Sequence, residues 1–284
     1  MEHLQAELSQ CLNQEICSID FFSQGQIGDI YKVNTANNTY ILKTSQPSDR
    51  LQIEADMLMD IKKYKIAVPE VYASSETYLL MDLIEEQSIG TEAEALAAAR
   101  VLKDLHSVTN ESRMYGYYYD TTIASFVQKN EQTQYNWGLF LGQMRIMPMA
   151  QVCYDKGQIS HETVSRLERL CRDLYKRIDM SKITPSLLHG DLWQGNILFN
   201  MNSATLIDPA LYFGDREIEL AFIVMFHTFG KRFFDAYNEV HPLSNDFYET
   251  KVPLYQIYPL LVHTALYGST YRGELEQVLK RLKV

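Results

Sequence analysis

The first part of the chain has the pattern of short strands joined by tight turns. Five segments are predicted as strands after a short N-terminal helix: residues 16–23, 29–34, 39–43, 71–73 and 78–84. Asn37 and Asn38 tolerate the left-handed backbone of a tight hairpin, which favours an antiparallel meander. One helix is inserted over residues 50–63, because Leu51, Ala55, Leu58 and Ile61 recur at helical spacing.

From Thr91 onward the apolar positions follow the helical period. Helices are predicted over residues 91–107, 136–154, 160–178, 216–228 and 255–282. Thr91 and Glu94 have the spacing of a capping box at the start of the first one. The change of period predicts an α+β protein with a small N-terminal lobe over residues 1–85 and a mainly helical C-terminal lobe over residues 86–284.

Composition narrows the class of protein. The chain of 284 residues is 46% hydrophobic and 22% charged, which excludes a disordered or collagen-like chain. Its 26 basic and 36 acidic residues give a net charge of −10, so we expect neither nucleic acid nor an anionic membrane as a partner. The absence of a signal-peptide pattern, of a long apolar run and of paired cysteines predicts a soluble, cytoplasmic protein. Tyrosine is abundant, with 19 residues.

Residues 186–210 interrupt the helical pattern and contain the strongest motif. His189, Asp191 and Asn196 have the spacing of a kinase catalytic loop, and Asp208 follows 17 residues after Asp191, beyond a predicted hairpin. In such a loop Asp191 meets the acceptor hydroxyl, while Asn196 and Asp208 hold the magnesium ion that bridges the nucleotide phosphates. Taken singly, Asn196 could be a helix cap and Asp208-Pro209 a turn; together they favour phosphoryl transfer.

Two upstream residues acquire roles from this loop. Lys43 ends a predicted strand, at the position of the phosphate-binding lysine of kinases. Glu54 lies 11 residues later on the predicted helix and could pair with that lysine. Without the downstream loop, both residues would be interpreted as solvated surface charges.

Two further segments are weaker candidates for nucleotide binding. The turn Gly25-Gln26-Ile27-Gly28 could cover phosphates with its backbone N–H groups, although most such turns are plain hairpins. The segment with Met81, Asp82 and Ile84 resembles the hinge where backbone groups of kinases contact adenine.

Longer motifs resemble the fructosamine (ketosamine) kinase family, within the aminoglycoside-phosphotransferase-like and protein-kinase-like fold. They are His189-Gly190-Asp191-Leu192-Trp193-Gln194-Gly195-Asn196 and Asp208-Pro209-Ala210 followed by Gly214-Asp215-Arg216-Glu217. The resemblance implies a bilobed kinase that uses ATP and Mg²⁺ to phosphorylate a sugar hydroxyl, at C3, of ketose-modified amines. In the family this makes the adduct labile and so repairs glycated amines.

The resemblance also implies roles for individual residues. Asp191 would be the catalytic base, and His189 would shape the loop. Trp193 could stack on the sugar, or it could be a buried core aromatic. Asp215 and Arg216 are candidate substrate residues and could pair to lock the segment after the metal site, although we favour Asp215 as the cap of the following helix.

Departures from the family pattern leave alternatives open. Gln24-Gly25-Gln26 stands where Gly-Gly and often Cys are usual, so no thiol switch is expected there, and Gln194 replaces the usual Ser. The main alternative is another small-molecule kinase of the same fold, acting on an aminoglycoside, choline or homoserine. A pseudokinase is disfavoured because Lys43, Asp191, Asn196 and Asp208 are all present.

Overall fold

The structure is a computed structural model that describes residues 2–25, 28–47, 50–131, 135–201 and 203–284. The strands of this part of the chain are β1 Ile16–Gln24, β2 Asp29–Thr35, β3 Thr39–Thr44, β4 Val71–Ser74, β5 Tyr78–Asp82, β6 Thr121–Ile123, β7 Phe126–Gln128, β8 Ser186–Leu188, β9 Ile197–Asn200, β10 Ser203–Leu206 and β11 Tyr212–Gly214. The helices are α1 Glu2–Leu12, α2 Leu51–Lys63, α3 Thr91–Ser107, α4 Trp137–Phe140, α5 Met147–Asp155, α6 His161–Arg172, α7 Leu174–Arg177, α8 Arg216–Met225, α9 Lys231–Asn238, α10 Val252–Tyr255, α11 Ile257–Tyr267 and α12 Ser269–Arg281.

The N-terminal sheet is antiparallel and has the strand order β1-β2-β3-β5-β4. Successive side chains of a strand point to opposite faces, and β3 shows the consequence. Tyr40 and Leu42 pack on α1, in a cluster with Leu8. Ile41 packs on the other face with α2, in a cluster that contains Ala55. Lys43 has the parity of Ile41 and is therefore directed to the α2 side of the sheet.

The helical part is built around α11, most of whose residues are buried. α4 and α5 are joined by one π-helical segment, Leu141–Ile146, so that a single helical stretch covers the predicted residues 136–154. Gly268, with φ +65°, separates α11 from α12 where the sequence predicted one continuous helix. The predicted helix over 160–178 is likewise divided into α6 and α7.

The predicted capping box at α3 is wrong. Gly90 is the N-cap residue, and no side chain caps the helix there. The Glu94 carboxylate instead accepts hydrogen bonds from Ser88 Oγ at 2.9 Å and from the backbone N–H of Ile89 at 3.2 Å. The acid therefore binds the preceding turn, and Thr91 contributes no cap.

Short strand pairs position the interrupted segment. β9 and β10 form the hairpin that was predicted from Ile197–Phe199 and Thr205–Ile207. The β8–β11 and β6–β7 pairs and helix α9 were not predicted, because segments of three residues or a mixed polar pattern give no clear periodicity. The division of the chain near residue 85 stays a prediction. Across the described ranges, every helix is too short or too polar to span a bilayer.

Candidate active site in the cleft

The catalytic-loop motif begins with a turn that only glycine can make. Gly190 has φ +86°, and a Cβ atom there would lie 2.1 Å from the carbonyl oxygen of Ala210. Ala210 crosses directly beside the loop, where its N–H donates to the His189 carbonyl oxygen at 2.7 Å. The glycine thus brings the loop and the segment after Asp208 into contact.

Glu219 of α8 lies beneath the loop and holds its backbone. Its carboxylate accepts hydrogen bonds from the N–H groups of His189, at 3.2 Å, and Gly190, at 2.7 Å. It also contacts Nε2 of His106 at 2.9 Å. Burial by itself raises the pKa of Glu219, but the hydrogen bond and charge of His106 outweigh it and hold the pKa below its usual range. Glu219 was not predicted from the sequence, although an acid directly before the apolar run of α8 indicates a buried charge.

His189 shapes the loop, as the family resemblance implied. Its Nε2 lies 2.8 Å from the carbonyl oxygen of Ile207, which can only accept, so Nε2 carries the proton. Nδ1 then accepts from the N–H of Asp191 at 3.3 Å. Burial lowers the pKa of His189, so the ring is neutral. It holds the backbone of Asp191 in place and is not a proton donor for the reaction.

Asp191 has the properties of a general base. Asn196 Nδ2 donates to the backbone oxygen of Asp191 at 2.8 Å and to its carboxylate Oδ2 at 3.2 Å. Burial, and then the negative charge of Asp208, raise the pKa of Asp191 to about 7. A carboxylate with a pKa near neutrality is well matched to accepting a hydroxyl proton.

Lys43, Glu54 and Asp208 form one charged cluster, which we call the cleft triad. Lys43 Nζ lies 2.7 Å from Glu54 Oε1 and also pairs with Asp208 Oδ1. Burial alone lowers the pKa of Lys43, but the charges of Asp208 and Glu54 outweigh it and raise that pKa. At Asp208, burial favours a raised pKa, but the charge and hydrogen bond of Lys43 outweigh it and lower the pKa. At Glu54, burial is the larger effect and raises the pKa. Two carboxylates therefore share one ammonium.

The cleft triad, Asp191 and Asn196 line one cavity of about 360 Å³, the cleft cavity. Its remaining lining is Gln24, Gly25, Gly28, Asp29, Ile30, Thr44, Leu51, Met57, Thr122, Ile123, Ala124, Trp193, Gly195, Pro209 and Ala210. The structure thus brings the predicted residues Lys43, Glu54, Asp191, Asn196 and Asp208 together. Gly25 and Gly28 also reach this cavity, whereas Gln26 and Ile27 lie outside the described residues.

The predicted hinge residues do not line the cleft cavity. Met81 is buried in the sheet, opposite Ile41 of β3. The Asp82 carboxylate accepts from the backbone N–H of Glu70 at 3.0 Å and from Tyr72 Oη at 2.8 Å. Ile84 lies in the connection after β5. The expectation that backbone groups of Met81, Asp82 and Ile84 contact adenine stays a prediction.

Trp193 is not a core aromatic, because 42% of its surface is exposed. Its indole lies over Gly195, where a Cβ atom would come within 2.5 Å of the ring. Trp193 and Asp191 also line a second space of about 220 Å³, the aromatic cavity. The rest of its lining is Ile123, Ala124, Phe226, Val262, His263, Leu266, Tyr267 and Tyr271.

Asp215 and Arg216 each bind other partners, and the favoured interpretation of Asp215 as a helix cap is confirmed. Asp215 caps α8 by accepting from the N–H of Glu217 at 3.1 Å, and it accepts from Lys251 Nζ at 2.8 Å. Arg216 donates to the carbonyl oxygen of Pro242 at 2.5 Å. Neither residue lines either cavity, so the capping interpretation of Asp215 is the one that the structure supports.

The oxygen donors of the cleft fit a magnesium ion. Asn196 uses its amide nitrogen on Asp191, which leaves its amide oxygen as the ligating atom, and the Asp208 carboxylate lines the same cavity. Within the described ranges, no group of three or more His, Cys, Asp or Glu side chains could hold a metal by itself. Mg²⁺ needs no such cage, because it keeps water and substrate phosphates as ligands.

Comparisons with known proteins identify the fold and then the family. An aminoglycoside phosphotransferase in complex with streptomycin and ATP has a TM-score of 0.64 at 16% identity, with 99% of this chain and 96% of that chain covered. That likeness shows the fold of this chain.

A family model describes the chain more specifically than the fold does. A fructosamine kinase family model matches residues 1–284, and the chain belongs to this family. A probable ketoamine kinase from Enterococcus faecium is 30% identical, with 90% of this chain and 92% of that protein covered. A crystal structure from Thermobifida fusca that carries the fructosamine-3-kinase name has a TM-score of 0.88 at 26% identity, with 100% of both chains covered. The chain is therefore a sugar-amine kinase.

Proposed function

We propose that this kinase uses ATP and Mg²⁺ to phosphorylate the C3 hydroxyl of ketosamines, such as ribulosamine or fructosamine adducts. The observation that carries the proposal is the convergence of Lys43, Glu54, Asp191, Asn196 and Asp208 on one cavity, in a member of the fructosamine kinase family. A phosphate at C3 makes the adduct labile, so the reaction would repair glycated amines.

Each of these side chains has a task in the transfer. Asp191 accepts the proton of the sugar hydroxyl. The hydroxyl oxygen then forms a bond to the γ-phosphorus of ATP, and the bond between that phosphorus and ADP breaks. Lys43 binds the nucleotide phosphates and is directed by Glu54. Asn196 and Asp208 would hold Mg²⁺, which when bound neutralises charge on the phosphates.

Positioning supports the same assignment. The Asn196 side chain donates a hydrogen bond to the Asp191 carboxylate, and His189 Nδ1 accepts one from the backbone N–H of Asp191. Asp191 is therefore fixed at both its side chain and its backbone. Gly190 and Glu219 then fix the loop itself. A rigid base next to a phosphate-binding lysine is the arrangement that phosphoryl transfer needs, because the reaction depends on orientation and charge neutralisation.

The test is to incubate the protein with ATP, Mg²⁺ and ribulose-, erythrulose- or fructose-derived adducts of one simple amine. Phosphorus NMR of the product should show a phosphate ester at C3, followed by release of the free amine on warming. Asp191→Asn should lower turnover by about 10²- to 10⁴-fold and keep nucleotide binding. Phosphate on another hydroxyl, or turnover of an aminoglycoside or choline alone, would contradict the proposal.

A further inference from the structure

We propose that the aromatic cavity binds the amine half of the ketosamine and selects adducts of apolar or aromatic amines that carry a single positive charge. This inference rests on the proposed function and specifies its acceptor. Asp191 and Trp193 line both the cleft cavity and the aromatic cavity. The base therefore lies where the two spaces meet, so that a sugar hydroxyl at Asp191 directs the rest of the acceptor into the aromatic cavity.

Four rings form one wall of this cavity. His263 lies between Phe226 and Tyr271, with ring centroids 5.0 Å and 4.8 Å away. Tyr267 extends the wall, with its centroid 5.9 Å from that of Tyr271. The backbone break at Gly268 places the end of α11 and the first turn of α12 on the same cavity. Aromatic faces attract cations and apolar groups alike.

The charge of the lining limits the acceptor. Among the described residues that line the aromatic cavity, Asp191 is the only carboxylate and there is no lysine or arginine. A polycation would need several carboxylates, and an acceptor with its own carboxylate would need a basic partner. A ketosamine of a simple amine has one protonated secondary amine, and it matches one carboxylate beside aromatic faces.

His263 is suited to the same acceptor. Its Nδ1 lies 2.8 Å from the carbonyl oxygen of Pro259, which can only accept, so Nδ1 carries the proton and Nε2 is a lone-pair acceptor. Burial lowers the pKa of His263, which keeps the ring neutral. A neutral ring with an acceptor nitrogen tolerates an ammonium group, whereas a protonated ring would repel it.

The experiment compares three adducts of the same sugar: those of benzylamine, propylamine and 6-aminohexanoate. We expect kcat/KM to be highest for the benzylamine adduct, and lower for the 6-aminohexanoate adduct by about 10-fold or more, because its carboxylate has no basic partner in the cavity. Tyr271→Leu should lower kcat/KM for the benzylamine adduct by about 3- to 30-fold and leave KM for ATP unchanged. Tyr267→Leu should act in the same direction.

Tyr175→Leu is the matched control, because Tyr175 is 65% exposed and lines neither cavity. Thermal melting of each variant separates lost contacts from lost folding. Equal kcat/KM for all three adducts, with phosphate at C3, would overturn this inference and leave the proposed function standing. Failure of every adduct to react would overturn both, and a preference that persists in a folded Tyr267→Leu/Tyr271→Leu double variant would overturn the role of the wall.

Discussion

Two lysines of this protein are each bound by two carboxylates, and the carboxylates of the two groups differ in their access to solvent. Lys43 of the cleft triad faces a cavity, and 43% of the side chain of its partner Asp208 is exposed. Lys251 lies in the helical part, 2.8 Å from Asp215 Oδ2 and 2.6 Å from Glu217 Oε2, and all three side chains are buried. We call this second group the interior triad.

The two groups also differ in the additional contacts and in the backbone of their carboxylates. In the interior triad, Asp215 also accepts from Tyr255 Oη at 2.5 Å, and Glu217 from the N–H and hydroxyl of Ser244 at 2.6 and 2.7 Å. In the cleft triad, Asp208 has φ +55°, a left-handed backbone conformation that Asp adopts more readily than most residues other than glycine. The interior triad thus joins helical segments, whereas the cleft triad is open to a ligand in the cleft cavity.

The largest effect is expected on stability at the interior triad. Lys251→Met leaves two carboxylates buried without a counter-ion, so the free energy of unfolding should fall by about 3–5 kcal/mol. Urea denaturation checks this, and kcat per folded molecule should stay close to that of the wild type. A change of less than about 1 kcal/mol would mean that the interior triad does not hold the helices together.

The converse is expected at the cleft triad. Lys43→Met should lower kcat/KM for ATP by about 10²- to 10³-fold, because a positioned charge on the phosphates is lost. The free energy of unfolding should change by less than in Lys251→Met, since Asp208 is partly exposed and the raised pKa of Glu54 allows it to take up a proton. Steady-state kinetics and urea denaturation on the same preparations make the comparison, and wild-type kinetics would move the phosphate contact elsewhere.

The pH dependence of the reaction tests Asp191, which lines the same cavity as the cleft triad. With a pKa of about 7 for Asp191, kcat/KM for the acceptor should fall about tenfold per pH unit well below 7 and level off above it, because protonation removes the base. Folding stability has the opposite sign. The folded pKa lies above the ordinary value of 3.8, so this contribution to stability is lost as the pH rises through 7. Glu54→Gln, which removes the other carboxyl with a raised pKa, should keep the kinetic limb, and a limb that vanishes there would assign it to Glu54.

The smallest effect is expected from Arg216→Gln. Arg216 binds the backbone at Pro242 and the hydroxyl of Tyr237, at 2.5 and 3.3 Å, outside both cavities. Stability should fall by about 1–2 kcal/mol as these hydrogen bonds are lost, while kcat/KM stays within about twofold. A large rise of KM for the ketosamine in a normally folded variant would return Arg216 to the acceptor site.

The predictable parts of the molecule are the ones encoded locally. Asp191 and Asn196 lie five residues apart in one loop, and the parity of β3 directs Lys43 to the helix that contains Glu54. The sequence therefore predicted the α+β fold and, within the cleft cavity, the cleft triad with Asp191 and Asn196.

Other contacts join distant segments that no short pattern marks. His106 meets Glu219 across 113 residues, and Lys251 meets Asp215 across 36. The interior triad was missed for this reason. Arg216, a candidate substrate residue from the family motif, donates to the backbone of Pro242, 26 residues away. The abundance of tyrosine had no explanation from composition, and Tyr267 and Tyr271 now give part of one.

The wall of the aromatic cavity comes largely from helices α11 and α12, some 70 residues after the catalytic loop. In the proposed acceptor site, the wall and the catalytic loop are therefore encoded in separate segments, which meet in the cavity because Asp191 and Trp193 also line it. Substitutions of Tyr267 and Tyr271 change the wall and leave the sequence of the catalytic loop unchanged. Under the proposal above, these are the positions to vary when kinases with new amine preferences are sought.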